Sequence, residues 1–85
     1  PSRQADTSAT LNNLAELYFE QGKYTAAEGM LLKALTLKEK ALGAGHPEVA
    51  GTLENMCLLY EAMGRESDAA RALKRAVSIR AALNK

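Results

Sequence analysis

The sequence predicts an all-α chain made of two stacked helical hairpins, and three observations carry that prediction. The stretch Thr10-Leu-Asn-Asn-Leu-Ala-Glu-Leu-Tyr-Phe-Glu-Gln-Gly-Lys-Tyr24 returns, altered, at Thr52-Leu-Glu-Asn-Met-Cys-Leu-Leu-Tyr-Glu-Ala-Met-Gly-Arg-Glu66. Thr10/Thr52, Leu11/Leu53, Asn13/Asn55, Leu17/Leu59, Tyr18/Tyr60 and Gly22/Gly64 are identical, and the register holds without a gap through Ala27/Ala69, Leu31/Leu73 and Ala34/Ala76. A repeat of this length marks a solenoid. Apolar residues recur at three- and four-residue steps throughout, the signature of helices with one buried stripe, and nothing alternates with period two over a useful length. Glycines punctuate the segments where helices should end. A solenoid of this kind offers a surface, so its expected work is binding.

The elements follow in order. Residues 1–6 read as a polar lead-in, with Ser2, Asp6 or Thr7 supplying a side-chain oxygen to the free amides of the first helix. That helix should run to about Gln21 and turn Leu11, Leu14, Ala15, Leu17 and Tyr18 inward. Gly22 ends it. The second helix begins near Tyr24 or Thr25 and carries Ala27, Met30, Leu31, Ala34, Leu35, Ala41 and Leu42, with alanines 27 and 34 leaving room for a close neighbour. The segment Leu42-Gly-Ala-Gly-His-Pro47 is the main break: Gly43 suits a C-terminal cap and Pro47 the first position of the next helix. The third helix spans about Pro47 to Met63, with Val49, Leu53, Met56, Cys57, Leu59 and Tyr60 as its apolar stripe. Gly64 repeats Gly22, and the fourth helix runs from about Ser67 to Leu83 with Ala69, Leu73, Ala76 and Ile79 inward. Turns this short make consecutive helices antiparallel. The boundaries are therefore 7–42 for the first unit, 43–47 for the connection and 48–84 for the second.

Composition narrows the function. Eighty-five residues make one small domain, 47% hydrophobic and 25% charged, which is globular. A net charge of +1 argues against a dedicated nucleic-acid or membrane-surface protein. No apolar run approaches the roughly 20 residues of a membrane span. The lone cysteine, Cys57, makes no internal disulfide, so an intracellular, cytoplasmic setting is expected. A chain opening on Pro1 reads as a piece of a longer one.

The residues Leu11, Leu14-Ala15, Tyr18, Gly22, Tyr24, Ala27, Leu31, Ala34 of the first unit, and Leu53, Met56-Cys57, Tyr60, Gly64, Ala69, Leu73, Ala76 of the second, resemble the tetratricopeptide repeat. The usual period of that family is about 34 residues. Here the second helix and the connection Leu42-Gly43-Ala44-Gly45-His46-Pro47 are longer, which resembles the kinesin-light-chain type. The resemblance implies a right-handed α-solenoid of two repeats, a protein-binding role and no enzymatic activity. It implies a concave groove lined by the first helix of each pair: Asn12, Asn13, Glu16, Phe19 and Glu20, then Glu54, Asn55, Leu58, Glu61 and Ala62. Asn13 and Asn55 match an asparagine that grips the ligand backbone in peptide-binding members, a task suited to an amide that both donates and accepts.

The charges support a particular ligand. No Lys or Arg occurs from Ala5 through Gln21 or from His46 through Met63, spans that carry Asp6, Glu16, Glu20, Glu48, Glu54 and Glu61. The basic residues Lys33, Lys38, Lys40, Arg71, Lys74, Arg75 and Arg80 belong to the other two helices. With the resemblance, this implies an acidic groove and a basic back, and partners that are basic or mixed basic-apolar proteins or peptides. The Lys/Arg clamp of chaperone-docking members is absent from the groove helices. Arg71, Lys74 and Arg75 cluster at helical spacing, a weak phosphate signal beside a near-zero net charge.

Catalytic patterns are missing. His46 reads as a cap residue tied to the backbone. Cys57 lies eleven residues beyond it, so ~16 Å of helical rise separates the pair, and the thiol holds the place of Ala15 in the first unit. No metal-ligand or phosphate-loop spacing appears, so no cofactor is expected. Gly51 is expected where a neighbouring backbone comes close. The alternative to peptide binding is a structural role, in which the repeats pack with further repeats or with a second copy. Ala72, Val77 and Ile79 have no following helix to cover them all, so self-association through the ends is expected.

Overall fold

The computed structural model describes residues 3–84. Four helices follow one another: α1 (Arg3–Glu20), α2 (Tyr24–Leu42), α3 (Pro47–Ala62) and α4 (Glu66–Leu83). α1 packs on α2 and α3 on α4, each pair as an antiparallel hairpin, and α2 packs on α3 to join the pairs. α1 starts at Arg3, inside the expected lead-in, so Asp6 and Thr7 sit within the helix instead of capping it; Ser2 lies outside the described residues.

The two hairpin turns are built alike. At each, the last helical turn closes with a bond five residues back: Lys23 N–H donates to Tyr18 O at 2.8 Å, and Arg65 N–H to Tyr60 O at 2.8 Å. This closure needs a left-handed residue just before the donor, which Gly22 (φ 77°) and Gly64 (φ 74°) supply. α3 opens as its sequence foretold. His46 Nδ1 accepts from the Glu48 amide at 3.1 Å, and Pro47 takes the first helical position, where a missing N–H costs nothing. Gly51 has no close backbone beside it: a Cβ added there would meet nothing within 4 Å.

The molecule is a slab of 36 × 29 × 14 Å, too thin to wrap a core on every side. Burial therefore depends on how many neighbours a helix has. α3 lies between α2 and α4 and buries Val49, Ala50, Thr52, Leu53, Met56, Cys57, Leu59 and Tyr60. α1 has one full neighbour, and among its described side chains Ser8 and Ala15 are the buried ones. Leu14 and Leu17, expected inward, are exposed by 39% and 48%, while their counterparts Met56 and Leu59 are at 5% and 1%. The same correction applies to α4. Leu73 is 47% exposed, whereas its counterpart Leu31 is 4%, because α3 covers Leu31 and no described helix follows α4 to cover Leu73. Ala72 and Ile79 are buried, leaving Val77 as the open member of that expected set. The alanines at 27, 34, 69 and 76 are all buried and let the paired helices approach closely.

Removing Leu59 should thus cost far more than removing its repeat-mate. Leu59→Ala is expected to lower the unfolding free energy by about 2–5 kcal/mol. Leu17→Ala is expected to cost about 1 kcal/mol or less, as for a surface position. Urea titrations of both variants at low protein concentration measure the difference; equal losses would mean that Leu17 is covered in solution.

Candidate functional site: a groove between α1 and α3

The groove forms where α1 and α3 rise on either side of α2. Its volume is about 300 Å³. Ala15, Ala27, Leu31 and Leu59 make the apolar floor. Glu16, Phe19 and Glu20 line it from α1, and Asn55 and Leu58 from α3. These wall residues come from positions the sequence had named. Phe19 is held by an edge contact with Tyr24 at the start of α2, ring centroids 5.4 Å apart, and keeps 36% of its surface open. Leu58 is 59% exposed. Glu16 and Glu20 are exposed one helical turn apart and form no ion pair among the described residues. The site thus offers two apolar contacts, an amide and two free carboxylates.

Other named residues lie outside this groove. Asn13 and Ala62 are exposed but do not line it, and Asn12 is half-buried with its Oδ1 shielded and without a partner. Glu61 lines a second groove of about 430 Å³ with Cys57, Glu66, Ala69, Ala70 and Leu73. This is the first groove moved along by one repeat: Cys57, Glu61, Ala69 and Leu73 stand where Ala15, Phe19, Ala27 and Leu31 stand. It lacks the far wall that α3 gives the first.

Glu54 has a resident partner. Arg80 of α4 reaches across and donates to both its oxygens, from Nε at 2.7 Å and Nη2 at 2.9 Å. The hydrogen bonds and charge of Arg80 hold the Glu54 carboxyl below its ordinary range. Sequence reasoning put Arg80 on the back with the other basic residues; the bridge is long in sequence and left no local signal. Several other cations of the expected basic back are likewise engaged. Lys38 is buried and lies 3.9 Å from Glu48, Arg75 pairs with Glu39, and Arg71 pairs with Asp68. Two of the three residues behind the weak phosphate signal are therefore already spoken for.

Cys57 is buried as expected. Burial, with help from nearby Glu61, pushes its thiol above the ordinary range, the opposite of an activated nucleophile. Among the described residues no three His, Cys, Asp or Glu side chains gather to hold a metal ion.

The helix order and the twofold repetition agree with one family model, that of the tetratricopeptide repeat, which matches residues 6–82. The chain belongs to the tetratricopeptide-repeat family. Repeats of this family generally serve as protein–protein interaction modules and are typically non-enzymatic scaffolds. A nucleotide-binding leucine-rich repeat (NLR)-like protein of Hyaloscypha variabilis is 44% identical over 43 residues. That match covers 51% of this chain and 4% of the relative. No described helix is long and apolar enough to cross a membrane.

The Glu54–Arg80 bridge has a pH signature. A carboxyl held below its ordinary value of 4.5 adds stability above that value and loses it as pH falls through the folded-state value. The contribution should be complete above the ordinary value and fade as pH falls below it toward the folded-state value. In Arg80→Ala the Glu54 titration, followed by carboxyl carbon NMR, should move up toward the ordinary value; an unmoved midpoint would show that the bridge does not form in solution. Cys57 should react with thiol reagents far more slowly in the folded protein than in denaturant, and Cys57→Ala should cost little, as Ala15 already fills that position in the first unit.

Proposed function

We propose that this chain is a recognition module that binds a peptide segment of a partner protein in the α1–α3 groove, and that the segment is basic or mixed basic-apolar. One observation carries the reading: Phe19 and Leu58 stay open to solvent on opposite sides of an apolar-floored groove, beside two carboxylates, Glu16 and Glu20, that are unpaired among the described residues. An apolar ligand side chain gains by leaving water against Phe19, Leu58 and the alanine floor, at about 25 cal/mol per Å². A Lys or Arg one or two positions away meets Glu16 or Glu20. Asn55 holds the ligand backbone. Glu61 extends the acidic track into the second groove, while Glu54 contributes only if a ligand displaces Arg80. A reducing, intracellular setting fits the free buried thiol, and neither nucleic acid nor a membrane is the expected partner.

A structural role is the second reading, supported by the exposed Leu14, Leu17, Leu73 and Val77 at the two ends of the slab. On that reading the chain packs into a longer array, or with another copy of itself, and binds no separate peptide. The short share of the NLR-like relative that it matches fits a unit within a long chain.

Isothermal titration with peptide arrays separates the two. Peptides pairing one bulky apolar residue with Lys or Arg should bind saturably, and acidic peptides should not. Affinity should drop several-fold between 50 and 500 mM salt, since attraction between exposed charges is screened over about 8–10 Å at ordinary salt. The Phe19→Ala/Leu58→Ala pair should abolish binding with the helical circular-dichroism spectrum unchanged. Absence of saturable binding to any peptide would favour the structural reading.

A further inference from the structure

Repetition allows each residue of the internal joint to be compared with its counterpart at the two ends. Among the described residues three acid–base pairs cross the joint from α2 to the second hairpin, and in two of them α2 gives the acid. Glu28 accepts from the Tyr60 hydroxyl at 3.1 Å and from Arg65 at 3.0 Å, and Arg65 stacks 4.6 Å from the centre of the Tyr60 ring. Glu39 accepts from Arg75. In these two the first hairpin supplies the acid and the second the base, while the longer Lys38–Glu48 pair, 3.9 Å, runs the other way.

The outer face of the first hairpin carries the receiving half of this joint again. Tyr18, Lys23 and Lys33 hold the positions of Tyr60, Arg65 and Arg75. Lys23 already leans over the Tyr18 ring, 5.9 Å from its centre, as Arg65 does over Tyr60. Lys33 lines a groove of about 570 Å³ with Leu11, Leu32 and Leu37 among its walls. The matching positions in the second hairpin include Leu53 and Ile79, both buried, and Arg75, bonded to Glu39. Among the described residues neither lysine meets a carboxylate. The outer face of the second hairpin is different: Ala70 and Ala81 stand where Glu28 and Glu39 stand. It has apolar residues to offer, Leu73 and Val77, but no acids at those two positions.

We propose that the outer α1–α2 face is a docking surface for a helical hairpin that presents two carboxylates about three turns apart, one to Tyr18 and Lys23 and one to Lys33, with apolar residues between them for Leu14 and Leu17. This occupant repeats the chemistry of α2. A second copy of this chain, arriving by its α4 end, matches the apolar part and lacks both acids. The inference does not depend on what the α1–α3 groove binds.

Two three-unit chains test it. One places residues 1–46 ahead of residues 5–85, so that a copy of α2 meets the proposed face in the natural period. The other places residues 43–85 after residues 1–84, so that Ala70 and Ala81 meet an arginine-bearing face. The first should melt well above the parent, by about 5 °C or more. Glu28→Gln with Glu39→Gln in its added unit should take back about 3 °C, the scale of one or two surface ion pairs in a domain this long. Raising salt should take back a similar amount. The second chain should gain less, and Ala70→Glu with Ala81→Glu in its middle unit should raise its melting temperature further. A melting temperature indifferent to all four substitutions would overturn the proposal. So would head-to-tail dimers of the unmodified chain in sedimentation that Leu17→Lys disrupts, because a second copy would then be the occupant.

Discussion

The contact between α2 and α3 is the one on which the rest depends. Each hairpin is a pair of helices with apolar residues on more than one side, and closing the pair hides only the side between them. The remaining surface is hidden by the neighbouring hairpin or not at all. At the joint, Leu31 of α2 and Met56 and Leu59 of α3 lose nearly all their exposure. At the two outer faces the equivalent residues, Leu73 on one and Leu14 and Leu17 on the other, stay half open. Stability in such a stack resides largely in these shared faces, so it grows with each neighbour added.

The joint also shapes the α1–α3 groove. The α1–α3 groove exists because α3 stands beside α1 across the floor provided by α2; a single hairpin has the floor and one wall. The second groove, beside Cys57 and Glu61, shows what a hairpin looks like with that wall missing. The polar network around Glu28 fixes the angle of the two hairpins. Its carboxylate is one-fifth exposed and accepts from both a tyrosine hydroxyl and an arginine. Burial and the Glu28 hydrogen bond together push the Tyr60 phenol above its ordinary range. The Arg65 guanidinium, stacked on the Tyr60 ring and bonded to Glu28 and, at 2.9 Å, to Asp68, has little freedom left, so the joint is set by directional bonds as well as by apolar packing.

Much of this architecture was legible in the residues. Helix periodicity, the glycines at 22, 43 and 64 and the His46-Pro47 start are local signals, because each acts through its own backbone within a few residues. Phe19, Leu58, Glu16, Glu20 and Asn55 were legible as groove residues through their places in the repeat. Arg80 was not, because its partner Glu54 lies on another helix and no spacing along one helix announces the pair. Leu14, Leu17 and Leu73 were misplaced for a related reason: the stripe on each helix is written identically whether or not a neighbour arrives to cover it.

By itself, then, the sequence determined four helices, their order, their turns and the two-unit repeat, since these follow from hydrophobic period and from backbone conformations that particular residues allow. Tertiary structure decided which apolar stripes became core and which became open faces, which acids remained free and which were paired. Those outcomes depend on contacts between hairpins, where identical residues such as Leu17 and Leu59 meet different surroundings. Burial and charge pairing are properties of the neighbour as much as of the residue.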